Sequence, residues 1–407
     1  MKRIFDPIHH FIELDAAEVA LLDTGPLQRL RRLRQLGLAY LVFPAAEHSR
    51  FGHALGALAM GERVLEALRG HADSPFADER DYRAQRRLLR VSLLLHDVGH
   101  GPFSHACEAV LGVRHEARTK AILGLDAMRN ALDALDVDPA RVLALVTGES
   151  SRDAVLSELV SGPNLDADRM DYLQRDAYFT GVAGGRYDVD QLVGSLRVIS
   201  SGGGPRLGVD ERALVALESF VLARYMMFAT VYFHHTTRMF ERVLQEALRE
   251  IWPDPRALDP IDVFLEWDDA RVFDELRGAR GAAAAALRER HKLYGLAAEF
   301  NAERDLSVYD ECLHALRARW GEDVWADEQE QLMHRLPLAR EGDTPTVPVQ
   351  TRTGTLDATQ ASDLIARLTG PARWRKLFLR RRGDDLEEAR TLCRRIVASR
   401  RSTETAP

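Results

Sequence analysis

The sequence predicts a mainly α-helical protein with a small β-hairpin element and a C-terminal region that is helical with a strand or two. Three observations carry this. Apolar residues recur at helical spacing, as at Val19, Leu22, Leu27, Leu30, Leu33 and Leu36. Histidines and aspartates collect at the ends and inner faces of the expected helices rather than along strands. One Gly-rich turn, Ser200 to Pro205, separates two short β-prone stretches, Leu192 to Ile199 and Arg206 to Val209.

The elements follow in order. Residues 3–14 alternate weakly and hold Asp6-Pro7, which suits a short hairpin or an extended arm. Helical spacing begins at Ala16, breaks at Asp23-Thr24-Gly25-Pro26 with Thr24 as N-cap, and continues to Leu36. Tyr40 to Pro44 is a loop, and Ser49 opens the next helix, whose inner face carries His53, Leu55, Leu58 and Val64. Residues 70–84 are polar, carry Pro75 and are expected as a surface insertion. A buried helix from about Arg86 runs into His96-Asp97 and is stopped by Gly99, Gly101 and Pro102. Helices are expected over Ser104–Leu111, from His115, over Val137–Val146 and over the acid-rich stretch 165–176. Ala213 to Arg249 forms one long aromatic-rich helix or two. The chain is expected to divide at residue 250, into a core of 1–250 and a mostly helical region of 251–407 with a strand near Thr344–Arg352. Residues Arg400 to Pro407 are expected to be disordered.

Composition excludes several classes. The chain has 407 residues, 46% hydrophobic and 29% charged, with a net charge of −7, so no global basic footprint for nucleic acid exists. Arginine clusters at residues 29–34, 86–87 and 380–382 suit phosphate recognition, although such runs are usually solvated helix faces. Cys107, Cys312 and Cys393 fit no zinc or disulfide spacing and suggest a reducing compartment. The first residues have no apolar signal core, and no unbroken run of about 18 apolar residues suggests a membrane span. A cytoplasmic protein is expected.

The chemistry centres on Leu93 to His105. A His and an Asp leaving a buried helix together cost desolvation unless something pairs them, and a divalent cation suits both imidazole nitrogen and carboxylate oxygen. A lone His-Asp pair is more often a helix cap. Three histidines and one aspartate within ten residues, at a Gly-rich helix end, favour a site. His53 and Asp168 are the candidates to complete a set with His96 and Asp97, leaving positions for water and a phosphate oxygen.

The ordered text is specific. Asp6-Pro7-Ile8-His9, Asp23-Thr24 through Arg31, Gln35-Leu36-Gly37, His48 through Gly56, His96 to His105, His115-Glu116 and Asp166 to Asp176 resemble, over roughly residues 1–245, the HD-domain phosphohydrolases. The chain is most similar to the SAM-and-HD-domain type deoxynucleoside triphosphate triphosphohydrolases and their bacterial relatives lacking the SAM domain. The resemblance implies the helical HD-domain fold. It implies that His53, His96, Asp97 and Asp168 hold one divalent ion, with Mn, Fe, Mg, Ni and Co undistinguished. Catalytic roles fall on Asp97, His100, His115, which works with the leaving group, and Glu116, which positions His115. Substrate contacts fall on Arg50, His105, Arg169 and His235 at the phosphates and on Gln35, Leu36, Tyr172 and Asp176 at the sugar. Asp23, Gln28 and Arg31 match the guanine-reading end of an activator site, so GTP or a dNTP is an expected regulator and a homodimer or tetramer an expected assembly. The chain departs from the family at Phe5, Val231 and Met239.

The implied reaction is hydrolysis of dNTPs to deoxynucleoside and inorganic triphosphate by metal-activated water. Two alternatives stay open. One is a phosphatase of nucleoside monophosphates or other phosphate esters on the same ion. The other is a nucleotide sensor that grips nucleic acid through its arginine clusters.

Overall fold

A β-hairpin starts the fold. Strands β1 (Lys2–Asp6) and β2 (His10–Leu14) pair antiparallel, with Asp6 opposite His10. The structure, a computed structural model, describes residues 1–71, 74–201, 204–300, 305–332, 347–368 and 371–404. In the tight turn, Asp6 Oδ1 accepts from the Ile8 and His9 amides at 2.9 Å each. The hairpin buries Ile12 and Leu14 and leaves Phe5 and Phe11 exposed.

Helix α1 (Ala16–Leu22) opens on a capping box between Asp15 and Glu18. Helix α2 (Gly25–Arg29) starts at Thr24, with Pro26 in its first turn. The helical spacing to Leu36 overstates it: α2 passes through a 3₁₀ turn, Leu30–Arg32, and stops. Beyond it tertiary partners take the amides that a helix would use. Arg34 N donates to Asp269 Oδ2 and Gln35 N to His48 O, both at 2.9 Å.

Helix α3 (Arg50–Arg69) is capped by Ser49, as its sequence predicts, and packs against α4 (Glu79–Leu95). The latter starts at the Asp78 cap, so the polar insertion ends sooner than expected. Helices α5 (His105–Leu111) and α6 (His115–Leu123) follow as predicted. Helices α7 (Asp126–Ala134) and α9 (Ala154–Ser161) were not expected; α8 (Pro139–Val146) and α10 (Ala167–Thr180) were. Their apolar faces share one core that includes Leu55, Leu58, Val64, Leu89, Leu93 and Leu173.

After α11 (Val189–Gly194), β3 (Leu196–Ser201) and β4 (Gly204–Asp210) form the predicted hairpin, except that Leu192 to Gly194, expected in its first strand, end α11; Gly202 and Gly203 of its turn lie outside the described residues. The aromatic-rich stretch resolves into α12 (Leu214–Met227) and α13 (His235–Ile251), joined by a π-helical turn, Phe228–Tyr232. By length and composition alone, Glu211–Tyr232 is long and apolar enough to cross a membrane, with mean hydropathy 1.6. Here its Leu217, Phe220, Val221 and Met227 lie in the protein core.

The C-terminal region departs most from expectation. Helices α14 (Ile261–Leu265), α15 (Asp269–Gly278) and α16 (Ala282–Glu289) lead to β5 (Tyr294–Phe300). Then come α17 (Leu306–Trp320), β6 (Val324–Leu332), β7 (Pro348–Thr351) and β8 (Gly354–Asp357). Helices α18 (Ala358–Ala361) and α19 (Asp363–Arg367), strand β9 (Pro371–Arg380) and α20 (Asp385–Glu404) close the described chain. One sheet runs β3-β4-β7-β8, the other β5-β9-β6. The strand expected near Thr344–Arg352 is β7, and residues 344–346 lie outside the described residues. Strands β5, β6 and β9 were not expected. The middle strand, β9, carries Arg373, Arg375 and Lys376 beside Leu377, Phe378 and Leu379, a composition that reads as a solvated helix until both faces are covered. Disorder from Arg400 is also corrected: α20 runs through Glu404, and only 405–407 lie outside.

Candidate metal centre and adjoining cavity

Three helix ends converge. The Ser49 cap starts α3 so that its fourth residue, His53, turns inward. Helix α4 delivers His96 as its C-cap, with Asp97 next. Asp166 caps α10 by accepting from Arg169 N at 2.7 Å and sets Asp168 in the first turn. His53 Nε2 lies 3.2 Å from His96 Nε2 and 2.9 Å from Asp168 Oδ1. Asp97 closes the set, Oδ2 3.8 Å from His53 Nε2 and Oδ1 3.5 Å from His96 Nε2.

The outer partners decide which nitrogens are free. His53 Nδ1 is 2.7 Å from Asp171 Oδ2, and His96 Nδ1 is 2.7 Å from the Leu93 carbonyl. Each Nδ1 therefore carries the proton, and each Nε2 presents a lone pair. Two lone pairs aimed at each other repel unless a cation or a proton stands near both. This donor set fits a divalent first-row ion. The same deficit appears as proton affinity. Burial would push His53 down, but Asp168 and Asp171 outweigh it and raise it to about 10. Burial would push Asp168 up, but the His53 and His96 rings lower it.

Asp171 is the hub behind His53. Besides that ring it holds His9 Nε2 at 2.7 Å and Arg175 Nε at 2.8 Å, and Arg175 Nη1 reaches Asp6 Oδ2 at 2.8 Å. The N-terminal hairpin is thereby tied to the metal side. Gly56 makes this possible, since a Cβ there would lie 2.1 Å from both Arg175 Nη2 and Asp171 Oδ1.

A second cluster adjoins the first. The His100 and His115 rings stack at 4.0 Å and 15°, both with Nδ1 on Glu108 Oε1, at 3.2 and 3.0 Å. His100 Nε2 is 3.3 Å from Asp97 Oδ1. The three donor atoms of His100, Glu108 and His115 also lie within 4.8 Å of one another, but parallel rings beside one carboxylate oxygen suit a relay through the His115–Glu108 hydrogen bond better than converging ligands. Burial and the Arg50 charge push His100 down to about 4, so it is neutral at pH 7. The carboxylate nearest His115 is Glu108, not Glu116 as the family pattern implies. Glu116 Oε2 is 3.7 Å from His115 Nδ1 and 3.3 Å from Arg114 Nε. Adjacent residues on a helix point about 100° apart, so Glu116 turns away while α5 brings Glu108 across.

Arg50 joins this centre to a cavity of about 450 Å³. Its Nη1 pairs with Asp97 Oδ2, and Nε and Nη2 reach Ser104 Oγ at 2.9 and 2.6 Å. Phe103 and Ser104 both hold φ near +53°, a strained pair for non-glycine residues. Asp269 pins the first of them, accepting from Phe103 N at 2.9 Å while its other oxygen takes Arg34 N. One carboxylate thus fixes two cavity-lining loops, 35–39 and 103–104.

Gln35, Leu36, Tyr172 and Asp176 line the cavity as expected, with Tyr232 beside them. Asp176 already holds His48 Nε2 at 2.8 Å and Tyr232 Oη at 2.7 Å. Gln35 Oε1 is buried without a hydrogen-bond partner among the described residues. Other expected contacts are not brought there. Arg169 pairs with its own cap, Asp166, and is not part of the lining. His235 stacks on His234 and faces a separate cavity of about 110 Å³ with Lys292 and Arg381. His105 opens α5, and its side chain lies outside the described residues. Of the activator set, Gln28 Oε1 accepts from Arg31 Nε at 2.9 Å, and Arg31 lies over the Phe51 ring. Asp23 is exposed at the end of α1 and forms no hydrogen bond or ion pair with either among the described residues.

Sequence reasoning missed Asp171, Arg175, Glu108 and Asp269. For the first two a signal existed: Asp168, Asp171 and Arg175 recur at i, i+3 and i+7 on one helix face. Asp269 is 166 residues from Phe103 and carried none.

The helical core, the His-Asp centre at its helix ends and the adjoining cavity define an HD-type protein. The HD domain family matches residues 50–176, and the HD-associated region matches residues 187–369. The chain belongs to the HD-domain phosphohydrolase superfamily, with the HD-associated region following the HD domain. It is 37% identical over 251 residues to the uncharacterized protein YwfO of Bacillus subtilis, covering 61% of this chain and 55% of that protein. It is 29% identical over 261 residues to the deoxynucleoside triphosphate triphosphohydrolase SAMHD1 homolog of Dictyostelium discoideum, covering 61% and 49%. The chain thus spans about half the length of the curated relatives it matches. A crystal structure of a hypothetical protein from Aquifex aeolicus superposes with TM-score 0.79 at 31% identity, covering 96% of this chain and 99% of that one.

Proposed function

We propose that the chain hydrolyses deoxynucleoside triphosphates to deoxynucleoside and inorganic triphosphate. One observation carries the reading: the His53, His96, Asp97 and Asp168 cluster opens through Arg50 onto a cavity of nucleoside scale. Similarity to proteins named as deoxynucleoside triphosphate triphosphohydrolases supports the substrate class.

His53, His96, Asp97 and Asp168 would hold the divalent ion. When bound there, it lowers the pKa of a water and polarises the phosphoryl oxygen. Arg50, fixed by Asp97 and Ser104, offers its guanidinium edge to the α-phosphate side. Water adds to the α-phosphorus, and the bond to the deoxyribose 5′-oxygen breaks. His115, seated on Glu108, gives the proton that the departing 5′-oxygen needs. His100, kept neutral, spaces Asp97 from that relay. Leu36 and Tyr172 crowd the sugar, and Gln35 and Asp176 bond its 3′-hydroxyl. Gln28 and Arg31 would read an activating nucleotide between subunits of a homo-oligomer.

The test is product analysis. The protein is incubated with each dNTP and Mn²⁺ or Mg²⁺, with Asp97→Ala as control, and products are separated by ion exchange. Deoxynucleoside plus triphosphate, lost in the variant, is expected. Free phosphate as the first product would overturn this reaction and favour a phosphatase of monophosphates or other esters, and pyrophosphate would overturn it as cleavage between the α- and β-phosphates.

A further inference from the structure

The His100 loop passes the start of α6 in very close packing. A Cβ on Gly99 would lie 2.1 Å from the His115 carbonyl oxygen, and one on Gly101 would lie 3.3 Å from the ring of Phe264, in α14. The loop is thus pressed between the first turn of α6 and the Phe264 ring. Whatever seats that ring helps to set the spacing of the two stacked histidines.

Phe264 is buried, and two guanidiniums lie over it, Arg29 of α2 at 4.8 Å and Arg118 of α6 at 4.6 Å from its centroid. Both also grip backbone. Arg29 Nη1 donates to the His100 carbonyl and Nε to the Trp267 carbonyl, at 2.8 Å each. Arg118 stands one turn beyond His115. Its Nη1 donates to the Leu258 and Asp259 carbonyls at 2.9 and 2.8 Å, and its Nη2 reaches Asp259 Oδ1 at 3.2 Å. One short stretch, 258–267, therefore holds the His100 loop through Arg29 and the His115 helix through Arg118.

Stability alone does not call for Arg29. Its guanidinium is 1% exposed and forms no ion pair among the described residues. Burial lowers its pKa to about 10, which leaves it charged at pH 7. A buried cation without a paired carboxylate costs more than an apolar side chain of its size. What Arg29 supplies is a planar fork that fixes two N–H directions at once, which a lysine ammonium on its flexible stem does not.

We propose that Arg29, Phe264 and Arg118 are positioning residues that keep the His100 ring against His115, and so keep His115 aimed at the departing oxygen. The inference rests on the role given to His115 above. A departing 5′-alkoxide needs a proton, whereas p-nitrophenolate leaves without one. Kinetics on dATP and on the p-nitrophenyl ester of thymidine 5′-monophosphate therefore test it, in Arg29→Lys and Phe264→Leu. On dATP, kcat is expected to fall at least roughly tenfold with KM and metal content little changed, and on the nitrophenyl ester to move far less. The control Leu316→Ala, in the separate core of α17 and α20, lowers the melting temperature and leaves both rates as in the parent. Equal losses on both substrates, or dATP turnover unmoved in both variants, overturn the proposal. The imidazole NMR resonances of His115 need no turnover. Loss of the His100 stack shifts them in either variant that folds, and unshifted resonances overturn the proposal whatever the rates. A parent that cleaves no dNTP sinks the proposed reaction alone, and the resonances then decide the positioning.

Discussion

The His53 and His96 rings meet Nε2 to Nε2 at 3.2 Å, each with its Nδ1 already committed to an oxygen. That arrangement is stable only with positive charge near both nitrogens. In His96→Ala, elemental analysis is expected to show loss of the divalent ion, and phosphohydrolase turnover should vanish with it. Full metal content in this variant would place the ion elsewhere.

Asp171 orients His53 without reaching the metal side itself. Asp171→Asn keeps the shape but weakens the bonds to His53, His9 and Arg175. Metal affinity should fall by about 10- to 100-fold in competition with a chelator. The buried Arg175 loses half its charge compensation, so the melting temperature should also drop. Unchanged affinity would make Asp171 purely structural.

Glu108 and Glu116 make opposite predictions. If His115 works from its seat on Glu108, Glu108→Gln lowers kcat by roughly 10²-fold with KM little changed, and Glu116→Gln does less. The reverse order would restore the role that the family pattern gives Glu116.

Asp269 provides a pH signature. Burial raises its carboxyl from 3.8 to about 6, against the opposing Arg34 and Phe103 amides. Between those values the folded chain holds a proton that the unfolded chain has released. This group's contribution to stability is therefore greatest below about pH 4 and declines as pH rises to about 6, by on the order of 2–3 kcal/mol. Thermal melts across that range should show the parent losing stability relative to Asp269→Asn, a comparison in which the opposite titrations of His100 and His234 cancel. Parallel profiles would sink the assignment.

The helical core was largely legible because its signals are local. Ser49 and the apolar spacing of α3 and α4 each report a cap or a buried face within a few residues. The metal-side residues were legible for the same reason, lying one turn from those caps or at the helix ends. The β5-β9-β6 sheet was not, because β9 buries both faces only once α17 and α20 cover one and α13 the other. Covered on both sides, its arginines and lysine no longer mark a solvated helix.

Local sequence signals determined most of the core helices, their inner faces and the residue types able to hold an ion. Tertiary structure decided the partners: Glu108 rather than Glu116 at His115, Asp171 behind His53, Arg169 and His235 turned from the cavity, and Asp269 pinning its loops. The physical reason is range. A cap or an apolar stripe is set by neighbours three or four residues away, whereas a buried carboxylate takes whichever donors packing brings within about 3 Å. For Asp269 one such donor, Arg34 N, stands 235 residues distant in the chain.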